Sequence, residues 1–403
     1  MTTRGVSPQP GGLPEGLEEG PPDGAPGAPP TGYFDAASTE PLHPAAREVL
    51  LTAVDEGWAD PARLYGSARR ARMLLDNARE IVAAVIGCRP DEVSFTASGT
   101  QAVQLGVLGA VRAATGRPAR VVVSAVEHSS VLHSAAHLER EGSAPTRQVG
   151  VDRHGRVDPV EFGRAARDGA VLACLQAANH EVGTLQPVDE VDVGDVPLLV
   201  DAAQAVGRVG LPRRWSLLTA SAHKWGGPAG VGVLAVRKGV RWRSPLPEDE
   251  REGGRAPGFE NVPGILAAAA ALRARWEESA TLAAHHGELV DHIRARVPQL
   301  IPDVDVVGHP TLRLPHLLTF SCLYVEGEAL VTELDRAGFA ISSGSSCTAS
   351  TLRPSHVLAA MGALTHGNVR VSLTRGATRD DVDRFLTAAA DVVTRLRAEL
   401  ADL

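Results

Sequence analysis

The chain has 403 residues, 44% of them hydrophobic and 22% charged, with a net charge of −8. That is enough for one large and one smaller domain of a globular protein. The negative charge argues against a nucleic-acid-binding surface as the main business, and no apolar run approaches a membrane span, so neither partner is expected.

Residues 1–30 are rich in Pro, Gly and acidic residues and lack the basic start and apolar stretch of a signal peptide, so they read as a disordered leader. The four cysteines, Cys88, Cys174, Cys322 and Cys347, show no CxxC pair and no metal-ligand spacing. That usage suits a reducing, cytoplasmic setting. Of the 40 Lys and Arg, only Lys224 and Lys238 are lysines, so side-chain amine chemistry has two candidates.

After the leader, apolar runs alternate with helical stretches. The run 92–97 predicts a strand, and 98–114 a helix capped by Ser98. Further strands are expected at 120–125, 170–176, 197–202, 216–222 and 230–236. Short, non-alternating apolar strands interleaved with helices indicate an α/β fold with its sheet buried on both faces. From about 264 the text changes to long helices, the first a bridge between domains. A smaller α+β part follows, with strands at 316–322 and 368–373, helices at 326–338 and the C-terminus, and a loop reading ISSGSSCTAS around Cys347. The expected division is therefore 1–30 leader, 31–263 large domain and 264–403 bridging helix with small domain.

Four stretches carry chemistry. Lys224 ends a buried strand and precedes a glycine-rich turn, SAHKWGGPAGVG. Alone it reads as a surface lysine, yet at the mouth of an apolar site a lysine loses enough charge to form a Schiff base with an aldehyde. Upstream, Asp201 ends the strand of LLVDAAQAVG, with Gln204 three residues on; a carboxylate there is costly without a cation, such as a pyridinium nitrogen. In TASGTQ, Ser98, Gly99 and Thr100 form a strand-to-helix turn whose free N–H groups suit a phosphate. His128 in VEHSSV follows another strand, where it can stack on a planar cofactor.

With YFDAASTEPLHP, ANHEVGTLQPV, FENVPGI, YVEGEAL and VRVSL, these stretches run in order from about Tyr33 to the C-terminus. In this the chain resembles the class V aminotransferase group of fold-type-I pyridoxal phosphate (PLP) enzymes, and within it the cysteine desulfurases. The resemblance implies a large domain with a mainly parallel sheet and a small α+β domain carrying the cysteine loop. It implies PLP held by Lys224 as Schiff-base lysine and Asp201 at the pyridine nitrogen, with Gln204 and His180 near the ring hydroxyl. His128 would stack on the ring, and Gly99, Thr100, Ser221 and His223 would hold the phosphate. Arg370 would clamp the substrate carboxylate, as a planar fork does well. Cys347 would take sulfur from L-cysteine as a persulfide and pass it to an acceptor protein or small thiol. A homodimer is implied too.

Three departures mark a specialised relative: His180 stands where the family usually has asparagine, Phe259 where Thr or Ser commonly reaches the partner subunit's phosphate, and ADPARLYGSARRAR matches only loosely. Arg255 is a candidate to replace the lost hydroxyl. His133 and His137, spaced i,i+4, lack a third ligand, so no metal site is expected, and the adjacent His285 and His286 read as solvated. Cys88, Cys174 and Cys322 read as core. The competing readings are a selenocysteine or C–S lyase, a PLP aminotransferase of a specialised pathway, and a catalytically weak scaffold.

Overall fold

The valine- and leucine-rich runs become strands because branched side chains pack well on a pleated surface. A computed structural model of the chain describes residues 31–114, 120–343 and 354–401. In chain order its elements begin with α1 (Pro44–Glu56), α2 (Gly66–Ile86), β1 (Val93–Thr96), α3 (Gly99–Ala113), β2 (Val121–Ser124) and α4 (Ser129–Arg140). Next come β3 (Thr146–Val149), α5 (Pro159–Arg167), β4 (Leu172–Cys174), β5 (Leu198–Asp201), β6 (Leu217–Ser221) and β7 (Gly232–Val236). The remainder is α6 (Val262–Leu300), β8 (Val304–Val307), β9 (Leu317–Cys322), α7 (Gly327–Arg336), α8 (His356–Met361), β10 (Asn368–Ser372) and α9 (Arg379–Ala401).

Seven strands form one sheet in the order β1-β7-β6-β5-β4-β2-β3. Five of them, from β6 to β3, pair in parallel, while β7 runs antiparallel to both β6 and β1. Alternate residues of one strand feed opposite cores. In β2, Val121 and Val123 pack with α3 and α4 residues such as Val103 and Val131. Val122 packs on the other face with Leu75, Phe162 and Ile265. Burying each such side chain contributes about 1.5–3 kcal/mol before entropy is counted. This is the α/β fold that the apolar runs predict, with the mainly parallel sheet that the resemblance implies.

A second, antiparallel sheet, β10-β9-β8, has its own core, where Phe320, Val290 and Phe385 meet. Helix α6 has 39 residues, about 58 Å of helix, and serves both cores. Ile265 and Leu272 near its start pack in the first, and Val290 and Ile293 in the second. The chain's entry also reaches the second sheet: Tyr33 bridges to Ala340, Asp35 to Ser372, and Phe34 packs edge-on against Phe385. This threading brings Asp35 and Ser38 beside β10, and that decides part of the site.

Two readings from the sequence need correction. His286 is not solvated: it is 1% exposed, with Nε2 bonded to the Thr374 carbonyl at 3.0 Å, because that face of α6 turns toward the loop after β10. Cys174 and Cys322 are buried as expected, but Cys88 is only half-buried. No group of three or more His, Cys, Asp or Glu among the described residues is placed to hold a metal. His137 faces Glu141 at 3.4 Å. Among the described residues no helix is long and apolar enough to cross a membrane.

Candidate active site

Ligands in open α/β sheets bind beyond the carboxyl ends of the strands, and here four parallel strands end around one cleft. Strand β5 ends at Asp201 and β6 at Ser221; His128 follows β2 and Gln176 follows β4. The cleft spans about 850 Å³ counted out through its open mouth, and the ten described residues that the resemblance assigns to cofactor and substrate line it. Cys347 lies outside the described residues.

Asp201 is 9% exposed, and burial raises its carboxyl above the usual range while His128 and Lys224 pull it back. One oxygen accepts the Ala203 N–H at 3.0 Å. Lys224 Nζ donates to the carbonyls of Ala37 (2.7 Å) and Ser38 (2.8 Å). The next residue, Trp225, is buried and donates through its indole to the Ala268 carbonyl at 3.0 Å, which pins the lysine turn onto α6. Gln204 donates to the same Ala37 carbonyl at 2.9 Å, leaving its buried Oε1 without a partner.

His128 caps α4, and its Nδ1 accepts the Ser130 N–H at 3.2 Å. In the neutral ring the proton therefore sits on Nε2. Burial depresses its basicity, with Asp201 opposing. His180 packs edge-on against it, ring centroids 5.1 Å apart at 79°. Burial, then the neighbouring His128 ring and the Arg370 charge, hold His180 well below the ordinary histidine range, so this position is neutral at pH 7. The structure thus answers whether a histidine here adds charge: in the free protein it does not.

At the opposite end, Ser98 caps α3 by accepting the Gln101 N–H at 3.1 Å, and Gly99 and Thr100 open the helix. A Cβ on Gly99 would lie 2.7 Å from the Ser221 Cβ, so only glycine lets the two strand ends approach this closely. Ser221 Oγ and His223 Nδ1 are 3.0 Å apart. Burial, then Lys224, holds His223 down at about 4.

Arg370 enters from β10. Its Nη2 donates to Asp35 at 2.8 Å and Ser38 at 2.6 Å, and its Nη1 to the His180 carbonyl at 3.1 Å; its buried Nε has no partner. Sequence reading missed Asp35, Ser38 and Gln176 as site residues. The first two lie more than 330 positions from Arg370 in the chain, and no local pattern announces them. Arg255, offered as a donor toward the partner subunit's phosphate, has its Nη1 on the Asp91 carbonyl and Ser94 Oγ, both at 3.2 Å.

The model of the aminotransferase class-V family matches residues 32–385. The chain is 33% identical to "Cysteine desulfurase IscS" of Dictyoglomus turgidum, over 91% of this chain and 95% of that one. It is 34% identical to "Cysteine desulfurase IscS" of Methanosarcina thermophila, over 91% and 92%. The chain belongs to the cysteine desulfurase family of class-V aminotransferases. A solved structure titled "NIFS-LIKE PROTEIN" superposes with a TM-score of 0.84 at 28% identity, covering 90% of this chain and 99% of that one.

Cysteine desulfurases are PLP-dependent as a family, and the cleft fits that cofactor. The buried Asp201 carboxylate matches a protonated ring nitrogen. The unpartnered Gln204 Oε1 is an acceptor awaiting a donor. The close approach of Gly99 to Ser221 shapes a pocket at a helix N-terminus, where anions are favoured.

Proposed function

We propose that the protein is a PLP-dependent cysteine desulfurase that converts L-cysteine to L-alanine and places the sulfur on Cys347 for delivery to an acceptor. The observation that carries this reading is the convergence of Lys224, Asp201 and Arg370 on one cleft. In that role Lys224 would bind the cofactor aldehyde, Asp201 would pair with the pyridine nitrogen and Gln204 would face the ring hydroxyl. Thr100, Ser221 and His223 would hold the phosphate, with Gly99 giving it room, and neutral His128 and His180 would flank the ring. PLP supplies an electron sink for the pair left when the Cα–H bond breaks.

The chain's own residues do the rest. Arg370, tethered by Asp35, Ser38 and the His180 carbonyl, would orient the substrate carboxylate. Lys224, once displaced, would carry the Cα proton, with the Ala37 and Ser38 carbonyls holding its amine in reach. The Cys347 thiolate would then attack the substrate sulfur. An S–S bond forms as the Cβ–S bond breaks, its electron pair goes to Cβ, and a proton taken there completes alanine.

A homodimer fits this reading. Trp58, Leu64, Tyr65 and Phe259 are each more than half exposed, and Arg251 ties the segments together, bonding Asp60 and Glu260 and lying 5.3 Å over Phe259. An apolar rim of this kind favours a second copy. A division near residue 263, with α6 as bridge, belongs to the same reading, as does a reducing compartment for the three free cysteines described.

The test is to load the purified protein with PLP and record its visible absorption, then add L-cysteine with a reducing thiol and quantify alanine and sulfide. The expected result is a bound chromophore that Lys224→Ala cannot form covalently, and alanine and sulfide in equal yield. Failure to take up PLP would leave the scaffold reading. Cofactor uptake without alanine would make L-cysteine the wrong substrate.

A further inference from the structure

A carboxyl that the proposed chemistry does not use lies behind the cleft. Glu181, the residue after His180, is 1% exposed. Its turn is held from two sides. Asn179 Oδ1 accepts the N–H groups of Glu181 and Val182, both at 2.8 Å, and Thr319 on β9 donates to the Glu181 carbonyl at 2.6 Å. One carboxyl oxygen, Oε2, accepts the Ser355 hydroxyl at 2.8 Å, while the other, Oε1, is buried and meets no partner. Burial raises this carboxyl to about 7, opposed by the Ser355 bond and the Arg370 charge. In either protonation state an oxygen can accept the Ser355 O–H.

A buried oxygen without a donor costs stability. Helix α8, which Ser355 caps, is already docked by Val357, Leu358 and Met361 on Val126, Val182 and Val307. What sets Ser355 apart is its place in the chain, at the downstream end of the stretch that carries Cys347. At the upstream end, the Arg370 N–H donates to the Ser342 carbonyl at 2.7 Å. Arg370 also holds the His180 carbonyl, next to Glu181, through Nη1. Both ends of the cysteine stretch are thus bonded either to the arginine that would clamp the substrate carboxylate or to the turn that arginine grips. His356 adds a second tie downstream, donating Nε2–H to the Glu127 carbonyl at 2.9 Å.

On the reading that Cys347 carries the sulfur, we propose that Glu181 is a positioning residue for the transfer step. Through Ser355 its carboxyl fixes the end of the Cys347 stretch relative to Arg370, and so the thiol relative to the substrate sulfur. A misplacement of about 1 Å can cost on the order of 100-fold in rate. With His356 still in place, loss of the Glu181 tie should cost about tenfold in transfer and spare cofactor and substrate binding.

The test follows sulfur on Cys347 in a single turnover of the PLP-loaded, full-length protein, beside KM for L-cysteine. Glu181→Met should slow the transfer about tenfold, with KM held within about twofold and the cofactor's absorption unchanged. Glu181→Gln, which keeps an acceptor for Ser355, should recover most of the rate. Ser355→Ala should match Glu181→Met, the double variant should be no slower than either, and Ser355→Ala decides the matter if Glu181→Met fails to fold. Transfer at the wild-type rate in Glu181→Met and Ser355→Ala would overturn this role while leaving Cys347 as the carrier. Glu181→Gln as slow as Glu181→Met, effects that multiply in the double variant, or a loss confined to KM would overturn it equally. No sulfur on Cys347 in wild type would overturn the carrier reading and this role with it.

Discussion

Arg370 shows how a single residue is prepared before a ligand arrives. Both Nη atoms are tethered, one by Asp35 and Ser38 and the other by the His180 carbonyl, so little side-chain entropy remains to be lost on binding. A lysine would keep the charge but lose the planar fork. Arg370→Lys should therefore raise KM for L-cysteine by about 10–100-fold, the worth of one or two charge-assisted hydrogen bonds, with the melting temperature little changed. Steady-state kinetics beside a melting curve checks this; an unchanged KM would remove Arg370 from substrate binding. At this scale the sequence was legible where identity and neighbours coincide, as for Lys224 after a buried strand and Asp201 at the end of another. It was silent on Ser38 and Asp35, whose roles arise only when the chain's entry lies against β10. It was misleading at His286, whose polar neighbours on α6 concealed a buried face.

Elements were readable in proportion to how fully they are buried. Strands β1, β2, β4, β5, β6, β7, β9 and β10 are buried at every residue; β2, β4 and β7 announce themselves as nearly unbroken apolar runs, while β1 and β10 alternate apolar with polar residues. Strand β3, reading TRQV at the sheet edge, is mostly accessible, and β8 is likewise half-wet. Without an apolar run on two faces, neither gives a local signal. Packing between elements also sets the site's shape. In β7, a Cβ on Gly232 would sit 2.2 Å from the Ser98 carbonyl oxygen, and backbone cannot yield as a side-chain tip can. Gly232→Ala should push the Ser98–Thr100 turn off its strand, costing about 1–3 kcal/mol and weakening PLP retention more than tenfold. Equilibrium dialysis of the cofactor alongside urea unfolding checks both; unaltered retention would mean the turn does not hold the phosphate.

Across the whole molecule, buried titratable groups set opposing pH dependences. Burial raises Glu127 to about 8 and Glu181 to about 7. The folded state therefore holds protons that the unfolded chain releases, and stability falls as pH rises from the unfolded carboxylate range toward 8. His223, held at about 4, and His286, at about 3, act the other way. Unfolding takes up their protons below about 6.5, so their contribution is full above that pH and is lost as pH falls toward 3. The two sets oppose each other between about 4.5 and 6.5, and above that the glutamates act alone. Tm should decline by several degrees between pH 6.5 and 8, and Glu127→Gln, which keeps an acceptor for the Gln176 N–H, should flatten that decline. A variant with the wild-type slope would show that Glu127 does not hold its proton.

The central claim is that sulfur leaves L-cysteine for Cys347, and single-turnover peptide mapping tests it most directly. The protein loaded with PLP is mixed with one equivalent of L-cysteine, quenched with an alkylating agent and digested, and the peptide containing Cys347 is weighed while alanine is quantified. The account requires that peptide to gain the mass of one sulfur atom in step with alanine, and Cys347→Ala to form neither at the wild-type rate. Alanine and free sulfide at undiminished rate from Cys347→Ala, with no added sulfur on the wild-type peptide, would contradict it and make the enzyme a direct lyase.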